Sequence, residues 1–176
     1  QMFYYFSQMA PAGYSMTVQV DVTALRKTLK EAGRKFFPAY LWQVTKNLNR
    51  QTEFKVAEKD GVLGFYDSLT PLYASFHEND HTFSLMWTEY TDDFLQFHQA
   101  YLENQAQFGH NHGVLCQPQT PPPANAYTVS CVPWVSFTHF AVHSYDGLKN
   151  CTDYKKAVQI IKDGGYATSP TYVENI

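Results

Sequence analysis

Helix-type and strand-type periodicities follow one another along this chain without regular β-α-β alternation, and that order limits its fold more than any other feature. Thr17-Val18-Gln19-Val20 is a β-branched run that reads as a strand. Thr23 stands where an N-cap belongs, ahead of Leu25, Leu29 and Ala32 on one helical face, and Gly33 supplies a stop. Pro38 suits the first position of a second helix reaching about Asn49, with Leu41, Val44 and Leu48 turned inward. Two short strands follow, near residues 54–58 and 62–66, joined through Lys59-Asp60-Gly61; Asp-Gly between apolar runs is a hairpin signal. Residues 70–76 read as a further strand. Thr91-Asp92-Asp93 places negative charge at a helix start, and Phe94, Phe97, Tyr101 and Phe108 keep helical spacing beyond it. The proline-rich stretch 117–124 reads as an exposed crossing, because Tyr127 to Val132 is at once strand-like again. Such a mixture predicts an α+β domain around a mixed sheet.

A length of 176 residues suits one domain with a sizeable core, and 16% charged against 44% hydrophobic residues describes an ordered chain. Thirteen Tyr and thirteen Phe exceed what a small core needs. An aromatic-lined pocket, a subunit interface and a heavily aromatic core each accommodate the surplus. The net charge is −3 and no Lys/Arg stripe is present, so the electrostatic footprint of nucleic-acid binding is missing. No apolar stretch approaches the ~20 residues needed to span a bilayer, and the N-terminus is not a signal peptide. Cys116, Cys131 and Cys151 lack metal-type spacing and read as free thiols in a reducing, cytoplasmic setting. The chain begins at Gln1, and Ser169-Pro170 opens a helix that Ile176 cuts short; both ends predict a fragment.

Seven histidines, at 77, 81, 98, 110, 112, 139 and 143, invite a metal or a base. His110 and His112 share a Gly-His-Asn-His-Gly loop, but no third ligand is evident, and His139 and His143 follow a strand-type run where residues four apart lie ~13 Å from each other. No metal is therefore expected. The polar segment from His77 to Thr82 reads as a plain loop. Ser136 and Thr138 end a buried-looking strand beside Trp134 and can donate into a pocket, although Ser and Thr at strand ends are common. No Gly-x-Ser-x-Gly elbow, phosphate loop or Cys–His pattern is present.

Phe76-His77, Thr82-Phe83-Ser84, Trp87, Glu89-Tyr90 and Asp93-Phe94 together resemble the F-H-x(4)-T-F-S-x(2)-W-x-E-Y-x(2)-D-F block of chloramphenicol acetyltransferases. Pro133-Trp134-Val135-Ser136-Phe137-Thr138, with Phe140, looks like that family's P-W-x-S-F-T-x-F signature. Gly13-Tyr14-Ser15-Met16-Thr17, Lys35-Phe36-Phe37-Pro38-Ala39 and Asp60-Gly61 fall in the family's order, and the similarity runs from about residue 2 to 145.

The resemblance implies a two-layer α+β sandwich, its mixed sheet covered by helices, that assembles as a homotrimer. It implies acetyl transfer from acetyl-CoA, the co-substrate, to the primary hydroxyl of chloramphenicol, with sites at subunit interfaces. Ser136 matches the serine that stabilises the oxyanion, and Tyr14, Thr82 and Phe140 match positions lining the antibiotic pocket. The family's general base lies in a His-His-x-x-x-Asp-Gly segment. No histidine follows His143 here, so the chain as written is expected to be truncated and inactive. The alternatives are a non-catalytic remnant that binds aromatic ligands or oligomerises, and a cell-wall glycosidase fragment. The last is motivated by residues 147–176, which resemble the C-terminal end of peptidoglycan N-acetylglucosaminidase domains and read as a foreign helical tail beyond an acetyltransferase-like domain at 1–146.

Overall fold

The computed structural model describes residues 2–10, 15–117, 121–132 and 156. The chain divides into two compact units, Gln1–Val18 with Ser136–Ile176, and Gln19–Val135. The first contains α1 (Met2–Tyr4), which runs into a π-type turn at Tyr5–Met9 and keeps Met2, Tyr4 and Met9 exposed. No helix among the described residues is long and apolar enough to cross a membrane.

Residues 15–22, which span the division between the units, are irregular. The strand expected at 17–20 is not formed: residues 15–22 carry no regular structure, and Val18 and Val20 are exposed. β-Branched propensity expresses a fit to a half-buried pleated surface, and this run joins no described sheet. Helix α2 (Thr23–Glu31) follows, but Thr23 is its first residue and not its cap. The Asp21 carboxylate accepts the Thr23 amide at 2.9 Å, so capping comes from two residues upstream. Of the three apolar positions on the expected face only Leu29 is buried. Gly33, at φ 64°, ends the helix as expected; the Arg34 amide donates to the Leu29 carbonyl across it.

Helix α3 (Phe36–Asn49) starts two residues before Pro38, which still lies in the first turn where its missing N–H costs nothing. It buries Pro38, Ala39, Leu41 and Thr45, while Val44 and Leu48 are half-buried. The fully buried Thr45 hydroxyl lies 2.7 Å from both the Leu41 carbonyl and the Tyr127 hydroxyl, which satisfies it. Hairpin strands β1 (Val56–Lys59) and β2 (Val62–Phe65) pair with Lys59 opposite Val62. Asp60 and Gly61, at φ 53° and 77°, make the primed turn that Asp-Gly predicts. Phe54, expected in the first strand, lies instead in a 3-10 turn at Thr52–Lys55.

The main sheet centres on β3 (Thr70–His77). It pairs antiparallel with β4 (Thr82–Trp87) and parallel with β5 (Ala126–Val129), so the sheet is mixed. Residues 114–116 flank the far side of β4, the Leu85 amide and carbonyl bonding Val114 and Cys116 at 2.8 Å. Helix α4 (Phe94–Phe108) begins two residues later than the acidic run suggested, because Asp93 is the N-cap and accepts the Leu95 and Gln96 amides. Leu41 of α3 and Phe97 and Tyr101 of α4 pack on Tyr73, Met86, Cys116 and Val129 of the sheet. Helices thus cover one face of a mixed sheet, which is the expected α+β architecture. Part of the aromatic complement is core, with Tyr73 contacting the rings of Phe37 and Tyr101 at 5.7 and 5.4 Å between centroids, while Phe54, Phe65, Phe76 and Phe83 are exposed.

His98 on α4 is buried, and its Nε2 accepts the Lys35 amide at 3.3 Å, which requires a neutral ring protonated at Nδ1. Burial first, then the Arg34 and Lys35 charges, push its pKa down. A base whose folded pKa is depressed resists charging in the native state alone. Its contribution is therefore held above the unfolded value of about 6.5 and lost as the pH falls below it toward the folded value. Urea midpoints are expected to fall between pH 7.5 and 5.5, and less so in His98→Gln, which keeps an acceptor but does not titrate. Equal pH slopes for both proteins would contradict this role.

Candidate active site

Of the four expected site residues, Tyr14, Ser136 and Phe140 lie outside the described residues, as do His139 and His143. Thr82 is described. It opens β4 opposite His77 of β3 and is exposed. Alternation puts Thr82, Ser84 and Met86 on one face of β4, the face that meets the core at Met86. Thr82 is therefore the open end of a row that runs into the core.

The segment read as a plain loop is instead an ordered cluster. Thr82 Oγ1 donates to Asp80 Oδ1 at 2.7 Å, and the Thr82 amide donates to the same oxygen at 3.1 Å. The other Asp80 oxygen, Oδ2, lies 3.2 Å from His112 Nδ1. The His112 ring stacks on that of His77 with centroids 4.0 Å apart and planes 21° from parallel. His77 Nε2 in turn lies 2.9 Å from Ser84 Oγ. The Thr82 hydroxyl above all, helped by its amide and the two imidazoles, holds the exposed Asp80 carboxyl below the usual carboxylate range. Cys116 sits beside Ser84 and Ser75, and burial pushes its thiol up, so it is a packed neutral thiol.

Ser84 and His77 have the spacing of a nucleophile and its base, but Ser84 is 1% and His77 4% exposed. No substrate carbon reaches that hydroxyl, so the pair satisfies buried polar atoms and does not attack. Among the described residues of this cluster, those that a ligand can reach are at the outer end, Thr82 with Asp80 and His112. No group of three His, Cys, Asp or Glu side chains among the described residues is placed to hold a metal. A separate cleft of about 520 Å³ has Lys46, Arg50, Asp67, Tyr90 and Asp92 among its lining, but not Thr82. Among its described lining residues none is an expected site residue, Tyr14, Thr82, Ser136 or Phe140.

Sequence reasoning gave Ser84 and Asp80 no role of their own because β4 was not read as a strand, and it weighed His112 only as half of a metal pair. Thr82-Phe83-Ser84-Leu85-Met86-Trp87 alternates only weakly in polarity. The usable signal was the pairing of two polar residues, Thr82 and Ser84, at spacing two beyond the four-residue polar turn 78–81.

A solved chloramphenicol acetyltransferase superposes with a TM-score of 0.65, covering 74% of this chain and 63% of that one, at 24% identity. That likeness defines the fold: the α+β sheet-and-helix arrangement that this acetyltransferase adopts. A chloramphenicol acetyltransferase family model matches residues 1–161. A chloramphenicol acetyltransferase of Escherichia coli is 42% identical over 135 residues, 77% of this chain and 60% of its own length. One from Campylobacter coli is 38% identical over 152 residues, 86% of this chain and 68% of its own. The chain belongs to the chloramphenicol acetyltransferase family. It spans about 60% of the length of several curated relatives it matches, and the family match continues past residue 146.

Proposed function

We propose that the protein transfers the acetyl group of acetyl-CoA to the primary hydroxyl of chloramphenicol. The observation that carries this reading is the family match over residues 1–161, with the P-W-x-S-F-T signature at Pro133–Thr138 inside it. In the reaction a neutral imidazole takes the hydroxyl proton as the oxygen attacks the thioester carbon. The tetrahedral oxyanion is held by the Ser136 hydroxyl. Collapse breaks the C–S bond, and the departing sulfur takes the proton back from the imidazolium to leave as CoA thiol. Thr82, Tyr14 and Phe140 are the antibiotic-contacting side chains in this reading. The base belongs to a His-His-x-x-x-Asp-Gly segment that the 176-residue sequence does not contain. In this reading the 176 residues bind the antibiotic, and turnover requires that segment.

Assembly as a homotrimer fits the face of the sheet away from the helices, where the cross-strand pair Phe76 and Phe83 is 43% and 62% exposed. A cytoplasmic location fits Cys116 and Cys131, both free thiols. Residues 147–176 are proposed as a helical tail on their resemblance to the end of a peptidoglycan N-acetylglucosaminidase domain, with residues 147–161 shared with the family match. Binding is tested by thermal unfolding of the 176-residue chain with chloramphenicol and no acetyl-CoA. A ligand at 100 times its Kd stabilises by about 2.7 kcal/mol, a shift of several degrees. No shift at millimolar antibiotic would contradict the reading.

A further inference from the structure

The Thr82 hydroxyl has one proton and two lone pairs, and the proton is already committed. Asp80 Oδ1 takes it at 2.7 Å and takes the Thr82 amide as well, so the Asp80 carboxylate fixes both backbone and side chain of the first β4 residue. A carboxylate has no proton of its own to exchange in return. Asp80 is held in turn by His112 at its second oxygen, and His112 by the buried ring of His77. The carboxylate is thus braced from the core side and does not rotate freely. We propose that Asp80 is a positioning residue that makes Thr82 an obligate hydrogen-bond acceptor, so that the acceptor substrate must present a hydroxyl hydrogen to it. This rests on the reading that Thr82 contacts the antibiotic. Selectivity follows because an ether or carbonyl oxygen brought to the same place meets only lone pairs, and the mismatch leaves two acceptors facing each other.

The test compares chloramphenicol with its two singly O-methylated derivatives by calorimetry on the 176-residue chain. Methylation adds bulk in every variant, whereas the hydrogen-bond component moves only with Asp80 and Thr82. The wild type is expected to prefer the parent over one derivative by about tenfold, the worth of one well-placed bond. Asp80→Ala frees the hydroxyl to donate to the methylated oxygen, and the preference shrinks to about twofold. Asp80→Asn, whose amide oxygen still accepts, keeps most of it. If Asp80→Ala weakens all three ligands by the same factor, the residue is merely structural and the proposal is overturned. A ligand-free readout separates the two readings: Thr82→Val should raise the Asp80 carboxyl titration followed by NMR toward the ordinary range. An unmoved titration overturns the Asp80–Thr82 coupling itself. A moved titration with unchanged affinities in Thr82→Val would remove Thr82 from the antibiotic contact, and the substrate preference with it.

Discussion

Tyr73→Ala is expected to destabilise the protein by about 4 kcal/mol, in the range for deleting a buried aromatic ring. Tyr73 is fully buried at the centre of β3, between the rings of Phe37 and Tyr101, and touches both helix and sheet partners of the core. Its hydroxyl lies 2.8 Å from that of Thr88, itself fully buried. Removing the ring leaves a cavity that the flanking strands, tied by ladder hydrogen bonds, cannot close. Tyr73→Phe isolates the hydroxyl and should cost only about 1 kcal/mol, because Thr88 keeps the Asn104 amide at 3.1 Å. Urea unfolding measures both. Against a typical stability of 5–15 kcal/mol the alanine variant is on the edge of folding at ambient temperature. A loss below about 1.5 kcal/mol would mean that the sheet and the two helices do not share this core. The consequence reaches the site, since β3 runs on from Tyr73 to His77, which holds the histidine stack behind Asp80.

The second large effect concerns turnover. When residues 147–176 are replaced by a family segment carrying His-His-x-x-x-Asp-Gly, acetyl transfer is expected to appear. In that background Ser136→Ala should lower kcat by 10²–10³, about 3–4 kcal/mol of barrier, the worth of one oxyanion donor in a water-excluded site. KM for chloramphenicol should change little, because the oxyanion exists only in the transition state. A Ser136→Ala variant with unchanged kcat would remove Ser136 from the mechanism. A drop in kcat matched by a rise in KM would make it a ground-state contact instead.

Local signals were legible wherever a single residue type dictates the backbone. Asp60-Gly61 gave its hairpin because both residues must take positive φ, and Gly33 gave its helix end for the same reason. Asp93 capped its helix where negative charge gathered, although the boundary moved by two residues. Signals that depend on a distant partner were not legible. Thr17 to Val20 has strand propensity and no described sheet to join, whereas β4 has weak alternation and becomes a strand because β3 lies beside it. The candidate site divides in the same way. Thr82 was reached through a motif, but Asp80, His112 and Ser84 act through contacts between the β3–β4 turn and the 110–116 loop, and chain spacing does not encode those contacts. His112 had drawn notice only as half of an incomplete metal pair; its partners proved to be a carboxylate and a second imidazole ring.

In the proposed reading, residues 1–176 supply the antibiotic-contacting and oxyanion-stabilising groups of an acetyltransferase, and the base lies in a segment they do not include. The most direct measurement incubates the purified 176-residue chain with acetyl-CoA and chloramphenicol, following both free thiol and acetylated antibiotic. The prediction is chloramphenicol-dependent thermal stabilisation with no acetylated product above the uncatalysed background. Acetylated chloramphenicol formed with matching release of CoA thiol, at the rate of a complete family enzyme, would contradict it and place a working base among residues 1–176.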